Sequence, residues 1–133
     1  MDFSYFLSSY MPDAAYGGKR IYAARNEADA RQKVGLAHDY YKRFDNIKGP
    51  GIVHGGMIEP LPRKQTLEEL AENLLICTSA ELVDRLSVYA ELGIDEVLAP
   101  CGYGQSADET LEMMHRFADE VMPHFRVPAR AFG

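Results

Sequence analysis

The second half of the chain alternates short apolar runs with amphipathic helical segments, and this alternation constrains the fold more than any other feature. Residues 74–77 and 94–99 form two short, largely apolar runs, which are typical of strands buried on both faces. A segment with apolar residues at steps of three and four follows each run. Strands and helices in this order predict a parallel sheet covered by helices.

Capping signatures mark the starts of the predicted helices. At three positions a hydroxyl residue is followed three residues later by glutamate, which is the pattern of a capping box. The three pairs are Thr66 with Glu69, Thr78 with Glu81, and Ser106 with Glu109. Gly93 stands where a helix-ending glycine is expected, and Pro123 is expected to stop the last helix.

The first half of the chain predicts two strands, one helix and one long loop. Aromatic residues alternate through residues 2–10, and residues 20–24 form a second short strand pattern. Asn26 is the expected cap of a helix over residues 27–44. Residues 45–65 are rich in proline and glycine and show no periodicity, so we predict a lid-like loop there. The whole chain, 1–133, is predicted to be one domain.

Composition and charge exclude several classes of function. The net charge is −6 and the 14 basic residues are scattered, so the clustered cations that hold nucleic acid are missing. No run of about 18 apolar residues indicates a membrane span. The N-terminus lacks the pattern of a signal peptide, and the two cysteines lack zinc-like spacing. We therefore expect a cytoplasmic protein with reduced thiols and no metal.

Four motifs stand in order at the ends of the predicted elements of residues 66–125. They are Cys77-Thr78-Ser79, Gly93-Ile94-Asp95, Tyr103-Gly104-Gln105 and Glu120-Val121-Met122-Pro123. This series resembles the closing part of the bacterial-luciferase-like flavin-dependent monooxygenases. The segment IYAARNEADAR is similar to the sixth strand of that family and the helix after it, and MDFSYFLSSYMP is similar to its first strand.

The resemblance implies an α/β fold that is a partial (β/α) barrel with parallel strands. A complete barrel of this kind needs about 250 residues, and the middle of the family is missing here. This chain contains counterparts of strands one, six, seven and eight of the complete barrel. These four are neighbours in a closed barrel, because the eighth strand pairs with the first. We therefore expect one continuous four-stranded parallel sheet.

The resemblance also implies FMN-dependent oxidation of a small organic substrate by O2, with reduced flavin supplied by a separate flavin reductase. In such enzymes the cofactor carries the chemistry, and the protein binds and orients it. Much of the family's flavin-phosphate site lies in the missing middle, so we expect the isolated chain to bind FMN weakly or not at all. The alternative is a non-catalytic remnant that self-assembles or binds a partner. Open strand edges predict a homodimer.

Six residues are the candidate cofactor contacts that the resemblance implies, and none is predicted to be catalytic. They are Phe6, Ser8 and Tyr10 on one face of the first strand, and Cys101, Gly102 and Tyr103 after the last strand. The segment from Gly102 to Ser106 also opens a helix, whose N–H groups can attract phosphate. A plain core position is the alternative for Phe6 and for Cys101.

Overall fold

The computed structural model describes residues 1–6, 20–47, 53–58, 64–94 and 96–126. The strands are β1 (Asp2–Phe6), β2 (Ile21–Ala24), β3 (Val53–His54), β4 (Met57–Ile58), β5 (Leu75–Thr78) and β6 (Glu96–Pro100). The helices are α1 (Glu27–Ile47), α2 (Leu67–Asn73), α3 (Ser79–Glu91) and α4 (Ala107–Arg116). A π-helical turn (Phe117–Val121) and a 3-10 turn (Met122–Phe125) continue α4. The described elements form an α/β fold, which confirms that part of the prediction, whereas the partial barrel stays a prediction.

Four of the strands pair in parallel with a strand that is distant in sequence, but they form two separate pairs. β1 lies beside β6, with Phe3 opposite Val97, and β2 lies beside β5, with Tyr22 opposite Ile76. Both pairs join strands that the sequence predicts to be neighbours. Within the described residues β5 and β6 form no ladder, so the expected continuous four-stranded sheet is not formed there. The two pairs contact each other through side chains instead. The ring of Tyr103, which follows β6, packs on that of Tyr22 in β2.

The β2–β5 pair is buried on both faces. Every residue from Ile21 to Ala24 is buried, and so are Leu75, Ile76 and Cys77. Helices α1 and α3 pack against β5, and α4 packs against β2. Burial on both faces explains why both strands are continuously apolar in sequence, with no alternation of polar residues.

The β1–β6 pair has one covered face and one open face. On the covered face the Phe3 ring packs edge-to-face on Phe117 and Phe125, with ring centroids 5.0 Å and 5.7 Å away. Neighbouring residues of a strand point to opposite faces. Leu98, which lies between Val97 and Ala99 in β6, is accordingly 62% exposed. We call the side of β6 that carries Leu98 the open face.

Two of the three predicted capping boxes form completely. At the starts of α2 and α4, Thr66 and Ser106 exchange hydrogen bonds with Glu69 and Glu109. Thr78 begins α3 without a side-chain cap bond, and the prediction is wrong there. Glu81, the predicted partner of Thr78, instead forms an ion pair with Arg85, with its Oε1 2.6 Å from Nη2. Asn26 caps α1 as predicted, because its Oδ1 accepts from the Asp29 N–H at 2.9 Å.

The ends of α1 and α4 differ from the predicted ends. Helix α1 runs to Ile47, three residues beyond the predicted Phe44. Helix α4 changes to π-helical geometry at Phe117, and Pro123 lies in the 3-10 turn that follows. None of the described helices is long and apolar enough to cross a membrane.

A short β-hairpin lies inside the predicted lid-like loop. Val53 pairs with Ile58, and His54 pairs with Met57. The turn residues Gly55 and Gly56 have φ values of 57° and 77°, and a two-residue hairpin turn with two positive φ angles strongly favours glycine. The function of residues 45–65 as a lid stays a prediction.

Candidate functional site

The ends of β1 and β6 bring part of the predicted cofactor site together. Phe6 is the last residue of β1, and its backbone lies opposite Pro100 of β6. Cys101, Gly102 and Tyr103 follow directly, in the segment 101–106 that we call the β6–α4 loop. The parallel pairing therefore places the backbone of Phe6 and the segment 101–103 at the same end of the β1–β6 pair. Ser8 and Tyr10 lie outside the described residues.

Two of the predicted cofactor contacts point into the protein core. Cys101 is completely buried, and Tyr103 is 2% exposed. The Tyr103 ring packs edge-to-face on Tyr22, with ring centroids 6.2 Å apart. Burial, followed by the charge of nearby groups, raises the pKa of the Tyr103 hydroxyl well above its usual value. Within the described part of the chain the hydroxyl oxygen of Tyr103 has no hydrogen-bond partner.

The β6–α4 loop is folded on itself by one amide side chain. Nε2 of Gln105 donates to the carbonyl oxygen of Cys101, and Oε1 of Gln105 accepts from the backbone N–H of Tyr103 at 3.1 Å. Gly104, between them, has a φ of 115°, which L side chains rarely adopt. The carbonyl oxygen of Gly102 accepts a hydrogen bond from Nη1 of Arg20 at 3.1 Å. The loop is therefore held by its own side chain, Gln105, and by Arg20, the residue before β2.

A charge cluster made of Tyr22, Asp29 and Lys33, which are buried, and Glu109, which is half-buried, lies beside this loop; we call it the buried charge cluster. Lys33 is completely buried, and its Nζ lies 2.6 Å from Oε1 of Glu109 and 3.1 Å from Oδ1 of Asp29. The same ammonium group lies 5.5 Å from the centroid of the Tyr22 ring, so it also makes a cation–π contact. The cluster joins the start of α1 to the start of α4.

The charges of this cluster stabilise one another. Burial favours the neutral form of Lys33, but hydrogen bonds to Glu109 and Asp29 outweigh it and raise the pKa of the amine. Burial likewise favours the protonated form of Asp29, but hydrogen bonds from Arg25 and Lys33 lower its pKa. The hydrogen bond from Lys33, followed by that from the Ser106 N–H, lowers the pKa of Glu109. All three groups are therefore charged at neutral pH.

Sequence reasoning missed this cluster and a second buried cation, Arg20. The guanidinium carbon of Arg20 lies 5.0 Å from the centroid of the Tyr40 ring. A signal for Lys33 was present, because Asp29 stands four residues before it on a predicted helix, a favourable spacing for an ion pair. Arg20 had no such signal, since a cation next to a strand is usually exposed.

The start of α4 does not fit a flavin phosphate. The Glu109 carboxylate already accepts from the N–H and the hydroxyl of Ser106, and Asp108 adds a second negative charge to the first turn. An anion at this position would be repelled, although a bare helix start attracts anions. With Cys101 and Tyr103 turned inward, the described residues of the loop do not fit the cofactor in this conformation.

Thiol and metal chemistry find no support among the described residues. Burial raises the pKa of Cys77 to about 12, and burial also raises the pKa of Cys101. A thiol is nucleophilic only as its thiolate, so neither group is activated. No group of three or more potential ligand side chains in the described ranges is arranged to hold a metal ion.

Comparison with known proteins identifies one curated relative. The chain is 28% identical over 115 residues to the protein named flavin-dependent trigonelline monooxygenase, oxygenase component, of Acinetobacter baylyi. The similarity covers 80% of this chain and 32% of the relative, so the chain spans about a third of the length of that protein. No protein-family model matches the chain, and no solved structure matches it.

Proposed function

We propose that this chain is part of a luciferase-like flavin-dependent monooxygenase that uses FMN and O2 to oxidise a small organic substrate. The observation that carries the proposal is the similarity to an oxygenase component over 80% of the chain. The two parallel strand pairs support it, since they join strands that neighbour one another in the partial (β/α) barrel that we propose.

The proposed flavin contacts are Phe6, Ser8 and Tyr10 from the first strand and Cys101, Gly102 and Tyr103 from the β6–α4 loop. The inward orientation of Cys101 and Tyr103 means that the loop must rearrange before those side chains can touch a ligand. A rearrangement that binding must drive reduces the apparent affinity. We therefore propose that the isolated chain binds FMN only weakly.

A second protein supplies reduced flavin in this proposal. The relative is named as an oxygenase component, and the corresponding partner of this chain would be a flavin reductase. The bound reduced flavin would be the group that reacts with O2. The chain would bind the flavin, orient it and keep water away from it.

A thermal melt with and without FMN tests the flavin proposal. A ligand that binds only the folded state at ten times its Kd stabilises that state by about 1.4 kcal/mol. We expect millimolar FMN to raise the Tm by a few degrees, and we expect AMP, which shares the phosphate but lacks the isoalloxazine ring, to have no effect. An equal shift with both compounds, or none with FMN, would contradict the proposal.

The second candidate function is a non-catalytic module that self-assembles as a homodimer. Its support is the open face of the β1–β6 pair, where Leu98 is exposed, because parallel sheets are normally covered on both faces. Two-fold dimers are the commonest way in which identical chains cover such surfaces. Light scattering after size exclusion tests the dimer. A mass near 14.9 kDa at micromolar concentration means monomer and contradicts it.

A further inference from the structure

Two buried cations hold opposite ends of the segment that runs from the β6–α4 loop into α4. Arg20 reaches the carbonyl oxygen of Gly102 across 82 positions of sequence, and Lys33 reaches the carboxylate of Glu109 across 76. Arg20 is 1% exposed and Lys33 is completely buried. Each cation also lies over a tyrosine ring, that of Tyr40 or that of Tyr22.

Glu109 connects Lys33 to the loop, because its carboxylate contacts both Lys33 and Ser106. One carboxylate oxygen, Oε1, accepts from Lys33, while the other, Oε2, accepts from the N–H of Ser106 at 3.1 Å. Ser106 ends the loop and caps α4. The position of the last loop residue is therefore tied to α1 through a single side chain.

Tyr103 lies between the two held ends. Its ring packs on Tyr22, which also lies under the Lys33 ammonium group. Burying the Tyr103 hydroxyl without a hydrogen bond costs free energy and so opposes the favourable burial of its ring. Hydrogen bonds from Arg20 and Lys33 cross to this segment from the rest of the fold, one before Tyr103 in sequence and one after it.

We propose that Arg20 and Lys33 are positioning residues that clamp the β6–α4 loop in the conformation with Tyr103 buried. The clamp sets whether the side chains after β6 are available to a ligand. This functional consequence rests on the proposed flavin function, whereas the clamp itself does not.

Site-resolved amide hydrogen exchange of the full chain tests the clamp. Lys33→Met removes the ammonium group and keeps most of the apolar stem. We expect amides from Gly102 to Glu109 to exchange at least about tenfold faster, and amides of Leu82 and Leu86 in α3 to change by less than about twofold. Lys42→Met is the matched control, because Lys42 is on the same helix and pairs with Asp39 at an exposed site.

Glu109→Gln is the second variant, and it is expected to fold even if Lys33→Met does not. Glutamine serves in a capping box as glutamate does, so the cap on Ser106 is kept while the charge that holds Lys33 is lost. The clamp predicts faster exchange confined to the same amides. Faster exchange spread evenly over α3 and the loop, or no change in the loop, would overturn the proposal.

Repeating the exchange experiment with FMN separates the two proposals. If wild-type protein shows no response to FMN but the variants loosen the loop selectively, the clamp stands and the flavin proposal fails. If FMN protects the wild type but both variants leave the loop unchanged, the clamp fails alone. The expected result is selective loosening in both variants, together with a change in their response to FMN.

Discussion

Arg116 donates from Nη1 to the carbonyl oxygen of Ala23 at 3.0 Å, at the edge of β2 that faces away from β5. The opposite edge faces β5, since the carbonyl oxygen of Arg20 accepts from the N–H of Leu75 at 2.9 Å. Alternate residues of a strand direct their backbone groups to opposite edges. A side chain of α4 therefore occupies the edge of β2 that Ala23 faces.

Replacing Arg116 should weaken the fold and expose this edge. A hydrogen bond from a charged group typically contributes about 1.5–3 kcal/mol, so we expect Arg116→Met to lower the free energy of unfolding by about 2 kcal/mol. The freed edge should also promote association, because unpaired strand edges recruit other chains. Urea unfolding and light scattering measure the two effects. His115→Ala, at an exposed neighbouring position, is the control, and equal effects of both changes would contradict this account of the edge.

The aromatic contact under β1 should dominate the stability of the β1–β6 pair. Phe117 is completely buried and packs on Phe3, so Phe117→Ala leaves a cavity at the base of the pair. Buried phenylalanine truncations cost about 3–5 kcal/mol. Leu111→Ala, which removes a side chain that is 55% exposed, should cost much less. Urea midpoints compare the two variants, and similar midpoints would show that the π-helical turn is not part of the core.

Acid should weaken the fold through the buried charge cluster. The pKa values of Asp29 and Glu109 lie below their ordinary values of 3.8 and 4.5. A carboxylate whose folded pKa is depressed contributes stability that is fully present above the unfolded pKa and is lost as the pH falls through the folded pKa. Lys33, whose pKa is raised, stays charged throughout this range.

We therefore expect the free energy of unfolding to fall steeply below about pH 4.5 in the wild type. Asp29→Asn should be less stable at pH 7, because it removes one partner of a buried cation, and its stability should depend less on pH below that point. Urea unfolding between pH 7 and pH 3 measures both. Parallel curves for the two proteins would show that Asp29 does not contribute to the pH dependence.

The two cysteines should be inert in the folded protein. Cys77 and Cys101 are free and buried, and the pKa of Cys77 is raised to about 12. A disulfide reagent at pH 8 should therefore label neither thiol until denaturant is added, when both should react. Val88, which is 55% exposed on α3, offers a control position for a new cysteine. Rapid native labelling of Cys101 would show that the β6–α4 loop is open.

The sequence predicts the local elements well because their signals are local. Capping residues such as Asn26 and Ser106 act within one helical turn, and the apolar runs of β2 and β5 report burial on both faces. The capping box at Thr78 fails because Glu81 has a competing partner, Arg85, four residues later on the same helix. Nothing in the hydroxyl-and-glutamate pattern itself distinguishes the two outcomes.

The site is less predictable because long-range contacts decide it. The chain position of Cys101 and Tyr103 places them after a strand, but their burial depends on Tyr22, which is far away in sequence. The same holds for Arg20, whose partner Gly102 is 82 residues away in sequence. The Asp29 and Lys33 pair, by contrast, could have been recognised from its spacing alone.

The FMN affinity of the isolated chain tests the central claim most directly. The claim is that the chain derives its fold from a flavin-dependent oxygenase but forms only part of the flavin site. Titration followed by the quenching of flavin fluorescence should give saturable binding with a Kd between about 10 and 100 μM, equivalent to about −7 to −5.5 kcal/mol. A sub-micromolar Kd would show a complete site in this chain, and the absence of saturable binding up to 1 mM would show that the chain has no flavin site; either result contradicts the claim.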